Sequence, residues 1–384
     1  MTTVRDAGGT SPNTPCPVGW WTGATPPDRV VASIERVRRL DGVVRVAVMP
    51  DVHLCHAVCV GTVFATRRLL YPGAIGGDLG CGMAALAFDT AAAVLASAAA
   101  GRAVLRRLAR VIPGQRQPRP LPTRWREIPR MSDPRLDRAL LAARDQLGTL
   151  GGGNHFVELQ RDVADGRLWL MVHSGSRGLG QAVSRWHLSR CAERCRGLHM
   201  LDAESDAGRA FLHDLRVARA WARLNRWWMV QAVAWTLRET LGVLPVAGSF
   251  AQCDHNHIRR ETHGGAALWV HRKGAAPAGA GVAGLIPGSM GTASFHVVGR
   301  GCAGALCSSA HGAGRAMSRS EARRAVSTAA LRRAVAGVHV NPNQFARLRD
   351  EAPRAYKDVG AMMRAQRELV TPVRELRPVL SYKA

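Results

Sequence analysis

The sequence predicts an α+β fold in one large domain, and three observations carry that expectation. Helical and strand-like patterns alternate along the chain with no repeat period and no long linker. The strand-like runs end in glycine-rich loops. Residues 205–241 are helical throughout and apolar on more than one face, which marks a buried helix. The domain is placed at 27–384, after a loose N-terminal segment, 1–26.

The elements follow in order. PDRVVASIERVRRL (27–40) has helical spacing, and VVRVAVM (43–49) is a β-branched strand expected to end at Pro50. Residues 51–83 alternate short apolar runs with Gly and Pro, predicting strands joined by tight turns. A helix is expected over 90–112 with a break near Gly101, closed by a Pro/Arg loop over 114–130 whose arginines suit phosphate contacts. Another helix covers 133–147, and RLWLMVHS is a strand delivering a glycine turn. Strands and glycine loops continue until HGAGRAMSRSEARRAV, where a helix is expected to begin near 312.

Composition narrows the class. Lys and Arg outnumber Asp and Glu by 53 to 28, a net charge of +25, which favours a polyanionic partner such as nucleic acid; an Ala/Arg-rich codon bias gives the same excess. No apolar run is long enough to cross a bilayer and the N-terminus does not read as a secretion signal, so a cytoplasmic location and no membrane partner are expected. Nine cysteines in such a chain read as buried thiols or metal ligands rather than a disulfide frame. Only three lysines occur, Lys273, Lys357 and Lys383, which makes each a candidate for direct ligand contact.

Six places put a metal-capable or nucleophilic side chain at a strand mouth: PDVH (50–53), GGDLGCGM (76–83), GGGNHFVE (151–158), VHSGSRG (172–178), CDHNH (253–257) and SSAHGAGR (308–315). Thiolate, imidazole and carboxylate together suit a borderline transition metal such as zinc or manganese. Glycine turns free N–H groups to line a phosphate, with a further dipole contribution where the turn enters a helix, and a histidine in such a turn can attack phosphorus. Spacing alone leaves open which histidines are ligands.

These motifs, with RKGA (272–275), IPGSMG (286–291), AYKD (355–358) and the terminal LRP…K, stand in an order that resembles the RtcB-type RNA-splicing ligases. The resemblance implies the RtcB-like fold, mixed sheets with surrounding helices and a central metal and nucleotide cleft. It implies an enzyme that joins an RNA 3′-phosphate or 2′,3′-cyclic phosphate to a 5′-hydroxyl, in tRNA splicing or RNA repair, with GTP and two manganese ions and an archease-type activator as a partner. Asp78, Cys81, His155, His173 and His255 match the metal ligands, and His311 matches the histidine that takes up GMP. Asn154, Glu158, Ser289, Ser294, Gly312, Gly314 and Tyr356 match nucleotide contacts, Lys383 the lysine at the guanine, and Arg177 and Arg315 basic residues near the phosphates.

The chain departs from the family's pattern at Cys55, His56, Ala57 and Cys59, at SSA before the histidine, and at His257 and His271. The Cys55, His56 and Cys59 group reads as packing rather than as additional ligands. Cys191, Cys195 and His199 have the spacing of a helix face, and Trp227, Trp228 and Trp235 fit helix packing better than base stacking. Two other readings compete with ligation: a dinuclear metal phosphoesterase that opens cyclic phosphate ends, and a basic RNA-binding protein with a relict site.

Overall fold

Hydrophobic alternation in the strands decides how the layers stack. In the computed structural model, which describes residues 15–116 and 123–384, a five-stranded sheet takes the order β1 (Val18–Trp20), β2 (Val43–His53), β3 (Val60–Thr66), β13 (Ala266–Lys273), β12 (Asn256–His263). Only β1 and β2 run parallel in it. Val46 and Val48 pack on helix α1 (Asp28–Arg38) through Val30, Ile34 and Val37, while Ala47 and Met49 face the opposite core. That is the period-2 signature of a strand buried on both sides.

A seven-stranded antiparallel sheet has the order β11 (Ala251–Asp254), β5 (Gly82–Ala91), β7 (Arg167–Ser174), β6 (Phe156–Asp162), β18 (Val370–Tyr382), β16 (Ser294–Gly299), β15 (Ala283–Ile286). Leu86, Leu159, Leu170 and Val172 on one face pack against α2 (Ala98–Val111) and the long α5 (Asp206–Leu241). Met83, Trp169 and Met171 take the other face, and by alternation so do His173 and Glu158. Helices α3 (Pro134–Ala143) and α4 (Arg177–Arg190) pack on the first half of α5. Small pairs β4 (Leu69–Leu70) with β10 (Leu201–Asp202), β8 (Arg194–Cys195) with β9 (Leu198–His199), and β14 (Ala275–Pro277) with β17 (Ser308–Ala310), together with α6 (Arg319–Ala325), α7 (Thr328–Ala334) and α8 (Val359–Ala365), complete the mixed α+β architecture.

Several sequence expectations give way. β2 continues through Pro50 to His53, because the register shifts between Val48 and His53 and the missing N–H falls in that irregular stretch. The region 90–112 is the end of β5, a 3₁₀ turn and α2, broken at the N-cap Ser97 rather than at Gly101. Gly101 lies inside α2, where a Cβ would sit 2.3 Å from the His339 ring. The helix expected near 312 starts at Arg319 under a Ser318–Glu321 capping box. Cys191, Cys195 and His199 fall in the β8–β9 turn region after α4, not on a helix face: Cys191 Sγ donates to Met200 O at 2.8 Å and His199 Nδ1–H to Cys191 O at 2.8 Å. Part of the 114–130 loop and most of the 1–26 segment lie outside the described residues.

Two adjacent residues of α5 hold the loops at one end of the seven-stranded sheet. Arg226, fully buried, donates to Gly80 O at 2.8 Å, Ser174 O at 3.0 Å and Asp254 Oδ1 at 3.0 Å. Asn225 accepts from Gly148 N–H at 2.7 Å and donates to Thr149 O and Ser174 Oγ. Arg226→Met is expected to lower the free energy of unfolding by about 3 kcal/mol, since two buried carbonyls and part of Asp254 lose a donor. The partly exposed Arg223→Met should cost less than about 1 kcal/mol, and urea unfolding of both compares them.

Candidate active site

The strand ends gathered by Arg226 deliver the metal-capable side chains. Cys81 immediately precedes β5, His173 is near the end of β7, His155 precedes β6 and His255 joins β11 to β12 where the chain crosses between the two large sheets. His255 N–H donates to Cys81 O at 2.8 Å. Gly82 permits this junction, for a Cβ there would lie 2.1 Å from Cys253 O. Gly80 and Gly82 of GGDLGCGM therefore serve close packing of protein on protein: at Gly80 (φ +72°) a Cβ would lie 2.8 Å from Arg219 Cα of α5.

Cys81, His155 and His173 bring one donor atom each within 4.8 Å of one another. Cys81 Sγ lies 3.4 Å from His155 Nε2 and 3.2 Å from His173 Nε2, and His155 Nε2 lies 3.1 Å from Asp78 Oδ2. The outward nitrogens fix the tautomers: His155 Nδ1–H donates to Leu150 O and His173 Nδ1–H to Asn154 O. Burial, with neighbouring imidazoles, holds His173 and His255 well below the usual histidine range, so both are neutral. His173 thus aims an Nε2 lone pair at sulfur, and buried His255 Nδ1 has no hydrogen-bond partner among the described residues. Burial and the adjacent Asp78 push the Cys81 thiol well up; burial pushes Asp78 up too, but the neighbouring His155 ring and the Arg177 charge hold it below the usual carboxylate range. Lone pairs of N, S and O converging with too few protons between them form a donor set suited to a divalent transition ion.

The His173 and His255 rings lie 5.1 Å apart, and His311 follows at 4.5 Å from His255. His311 leaves β17 and gives its Nδ1–H to Asp51 Oδ2 at 2.6 Å, which leaves Nε2 with a lone pair. Asp51 is fully buried on β2, and Gly314 rests on it so closely that a Cβ would lie 2.4 Å from Asp51 O. Lys357 donates to Pro50 O at 3.0 Å and Val52 O at 2.6 Å, clamping the backbone on both sides of Asp51. Lys273 likewise serves the protein, donating to His56 O and Val58 O. Cys59 is buried in the core, whereas Cys55 is exposed and faces the cleft.

Around these groups lies a cleft of about 380 Å³. Asp78, Cys81, Asn154, Glu158, His173, His255, Ser289, Ser294, His311, Gly312, Gly314, Arg315, Tyr356 and Lys383 all line it. Its far end is organised by Glu351, which binds Lys383 Nζ at 2.5 Å, Tyr356 OH at 2.8 Å and Arg319 at 2.5 Å. Burial pushes the Glu158 carboxyl up to about 8, and Gln160 donates to it at 2.7 Å. His155 and Arg177 line a second cleft instead, with Gln115, Arg116 and Gln181. Asp78 and Asn154 line both, so the metal-capable cluster forms the wall between them.

Comparison with known proteins decides the family. A family model described as tRNA-splicing ligase RtcB matches residues 33–139 and 126–384. The chain is 36% identical over 368 residues to the RNA-splicing ligase RtcB1 of Escherichia coli ATCC 25922, covering 88% of this chain and 90% of that protein. It is 35% identical over 373 residues to the RNA-splicing ligase RtcB of Escherichia coli K12, with the same coverage. The chain belongs to the RtcB family. A more distant relative is the tRNA-splicing ligase RtcB of Methanopyrus kandleri, 32% identical over 66% of this chain and 32% of that protein.

Set against the RtcB resemblance, the fold brings the matched residues together with one separation: Arg177 stands apart from the cleft that holds His311, at φ +58°, bonded to Gly114 O. The dipole expectation fails at both glycine turns, since GGGNH enters β6 and HGAGR leads to no helix before Arg319. Asp51, Glu351 and Arg226 had no role assigned from sequence. Asp51 carried a signal, its place in PDVH; Glu351 carried only the scarcity of acids in so basic a chain; Arg226, one arginine among many, carried none.

Two measurements follow from these charges. The folded chain keeps a proton on Glu158 that the unfolded chain releases above its ordinary 4.5, so this group's stabilisation is lost as pH rises toward about 8. Relative to Glu158→Gln, the wild type should lose up to a few kcal/mol between about pH 5 and pH 8 in urea unfolding. Calorimetry of manganese binding in buffers of different ionisation heat should show proton release from the Cys81 thiol, lost in Cys81→Ser.

Proposed function

We propose that this chain is a GTP- and manganese-dependent RNA ligase that joins a 3′-phosphate or 2′,3′-cyclic phosphate end to a 5′-hydroxyl end, in tRNA splicing or RNA repair. The observation that carries the reading is His311: an imidazole with one nitrogen tied to a buried carboxylate, its other lone pair free, beside the His255 and His173 rings in a cleft that ends at Lys383. The relatives' printed names support the RNA-ligase class.

Asp78, Cys81, His155, His173 and His255 would hold two manganese ions, and the ions would supply charge neutralisation at the phosphates and Lewis acidity. His311 Nε2 attacks the α-phosphorus of GTP, a P–N bond forms, and the bond to the leaving pyrophosphate breaks. Asp51 holds the Nδ1 proton in place and offsets the positive ring that results. Gly312, Gly314 and the Arg315 guanidinium line the same cleft, and the glycine N–H groups with that guanidinium suit the phosphates, the Ala313 N–H being taken by Pro287 O. Lys383, Glu158, Tyr356, Ser289, Ser294 and Asn154 form the nucleotide-binding surface.

An RNA 3′-phosphate oxygen then takes the guanylate, breaking the P–N bond and freeing His311. Attack of the 5′-hydroxyl oxygen on the RNA phosphorus forms the phosphodiester and expels GMP, with loss of the hydroxyl proton. A cyclic end is first opened by water. An archease-type activator would belong to turnover rather than to this chemistry.

Incubation with α-labelled GTP and manganese should give an acid-labile protein-bound label that is absent in His311→Ala. Asp51→Asn should slow labelling about 100-fold, because the ring loses its oriented tautomer and its counter-charge. A chase with RNA bearing 3′-phosphate and 5′-hydroxyl ends should release the label as joined RNA forms. Opening of cyclic ends with no label on the protein would overturn the ligase in favour of a metal phosphoesterase, and RNA binding with neither reaction would overturn both.

A further inference from the structure

The second cleft gives the metal-capable wall an approach of its own, and a basic groove lies a few residues away along the chain. The groove, about 620 Å³, runs between α2 and α5. It is lined by Arg106, Arg107 and Arg110 of α2 and by Trp235 and Glu239 of α5. Trp235 is 48% exposed on a helix whose other large apolar side chains are mostly covered. The Arg107 guanidinium sits 4.3 Å from the Trp235 ring centre and 3.9 Å from Glu239, the groove's one carboxylate. Arg106 and Arg110, one turn apart, are exposed and have no ion-pair or hydrogen-bond partner among the described residues.

Continuity supplies the second argument. Val111 lines the groove, and Gln115 and Arg116 line the second cleft with Asp78 and His155. Four residues span at most about 14 Å, so groove and wall are separated by a few nucleotides of strand. Two unpaired guanidinium groups and an exposed indole match a single-stranded polynucleotide, which offers phosphates and a base face together. An acidic peptide would use the charges and leave the indole without a counterpart.

We propose that this groove holds the single-stranded RNA flanking the 3′ end, with backbone phosphates on Arg106 and Arg110 and a base on Trp235, and that the strand continues past Arg116 to the wall. The proposal rests on the ligase reading for its substrate, yet binding can be measured without catalysis. The test is fluorescence anisotropy with 3′-phosphorylated single strands of about 16 and about 4 nucleotides, across a salt series, on the wild type, the Arg106→Gln/Arg110→Gln double variant and Trp235→Ala. Each variant should bind the long strand about tenfold more weakly, the double variant with a log–log salt slope shallower by roughly 1.4, while short-strand binding and GTP labelling of His311 stay at wild-type level. Wild-type affinity and slope for the long strand in both variants would overturn the proposal and leave the groove to another partner, an acidic protein included. Equal losses for short and long strands would overturn it as well. Failure of the wild type to label would count against the ligase reading alone, because the anisotropy still decides the groove.

Discussion

A guanidinium with no access to water holds the centre of this protein together. Arg226 is one residue of a 36-residue helix, yet it bonds the loop before β5, the end of β7 and the carboxylate beside His255. Those three segments carry Asp78 with Cys81, His173, and His255. A buried cation needs a counter-charge and acceptors, and Asp254 with two carbonyls provides them for the two terminal nitrogens, while Nε is left without a partner among the described residues. Burial pushes Asp254 up, but Arg226, Arg219 and Arg223 outweigh it and hold the carboxyl at about 2, so the partner stays ionised. A lysine ammonium lacks the planar fork needed to reach three directions from one fixed position.

The same economy of acids recurs at the other end of the cleft that holds His311. Glu351 gathers Lys383, Tyr356, Arg315 and Arg319 around one buried carboxylate; burial raises its pKa, but Lys383 and Arg319 pull it below the ordinary range. The cations facing the cleft are therefore held in position before any anion arrives, which reduces the ordering cost of binding a phosphate or a purine. At the opposite end Asp51 does this for His311, itself fixed by Lys357 on the flanking carbonyls. Two of the scarce lysines serve backbone carbonyls, and the third pairs with the scarce acid.

Much of this was legible in the sequence because it obeys local rules. The buried helix shows in its apolar periodicity and begins and ends within a residue or so of expectation, under a Ser205 cap and at a left-handed Gly242. The metal-capable residues stand out because they sit at strand mouths, most of them in glycine-containing loops, with CDHNH (253–257) the exception that lacks glycine. What stayed hidden depends on contacts distant in sequence. Pro50 reads as a strand stop unless the irregular register is known. Gly101 reads as a break, though His339, far along the chain, fills the missing side chain's place. The helix drawn from 312 failed because the Gly and Arg run keeps no helical spacing before the Ser318 cap. Asp51 and Arg226 act across the fold, and no spacing rule links position 51 to 311 or 226 to 254.

The shared wall has a consequence for traffic. Asp78 and Asn154 line both clefts, so the cluster can be reached through either opening. Departure of a small product through one opening does not require the occupant of the other to let go. A polymer can stay engaged while the compact partner is exchanged behind it.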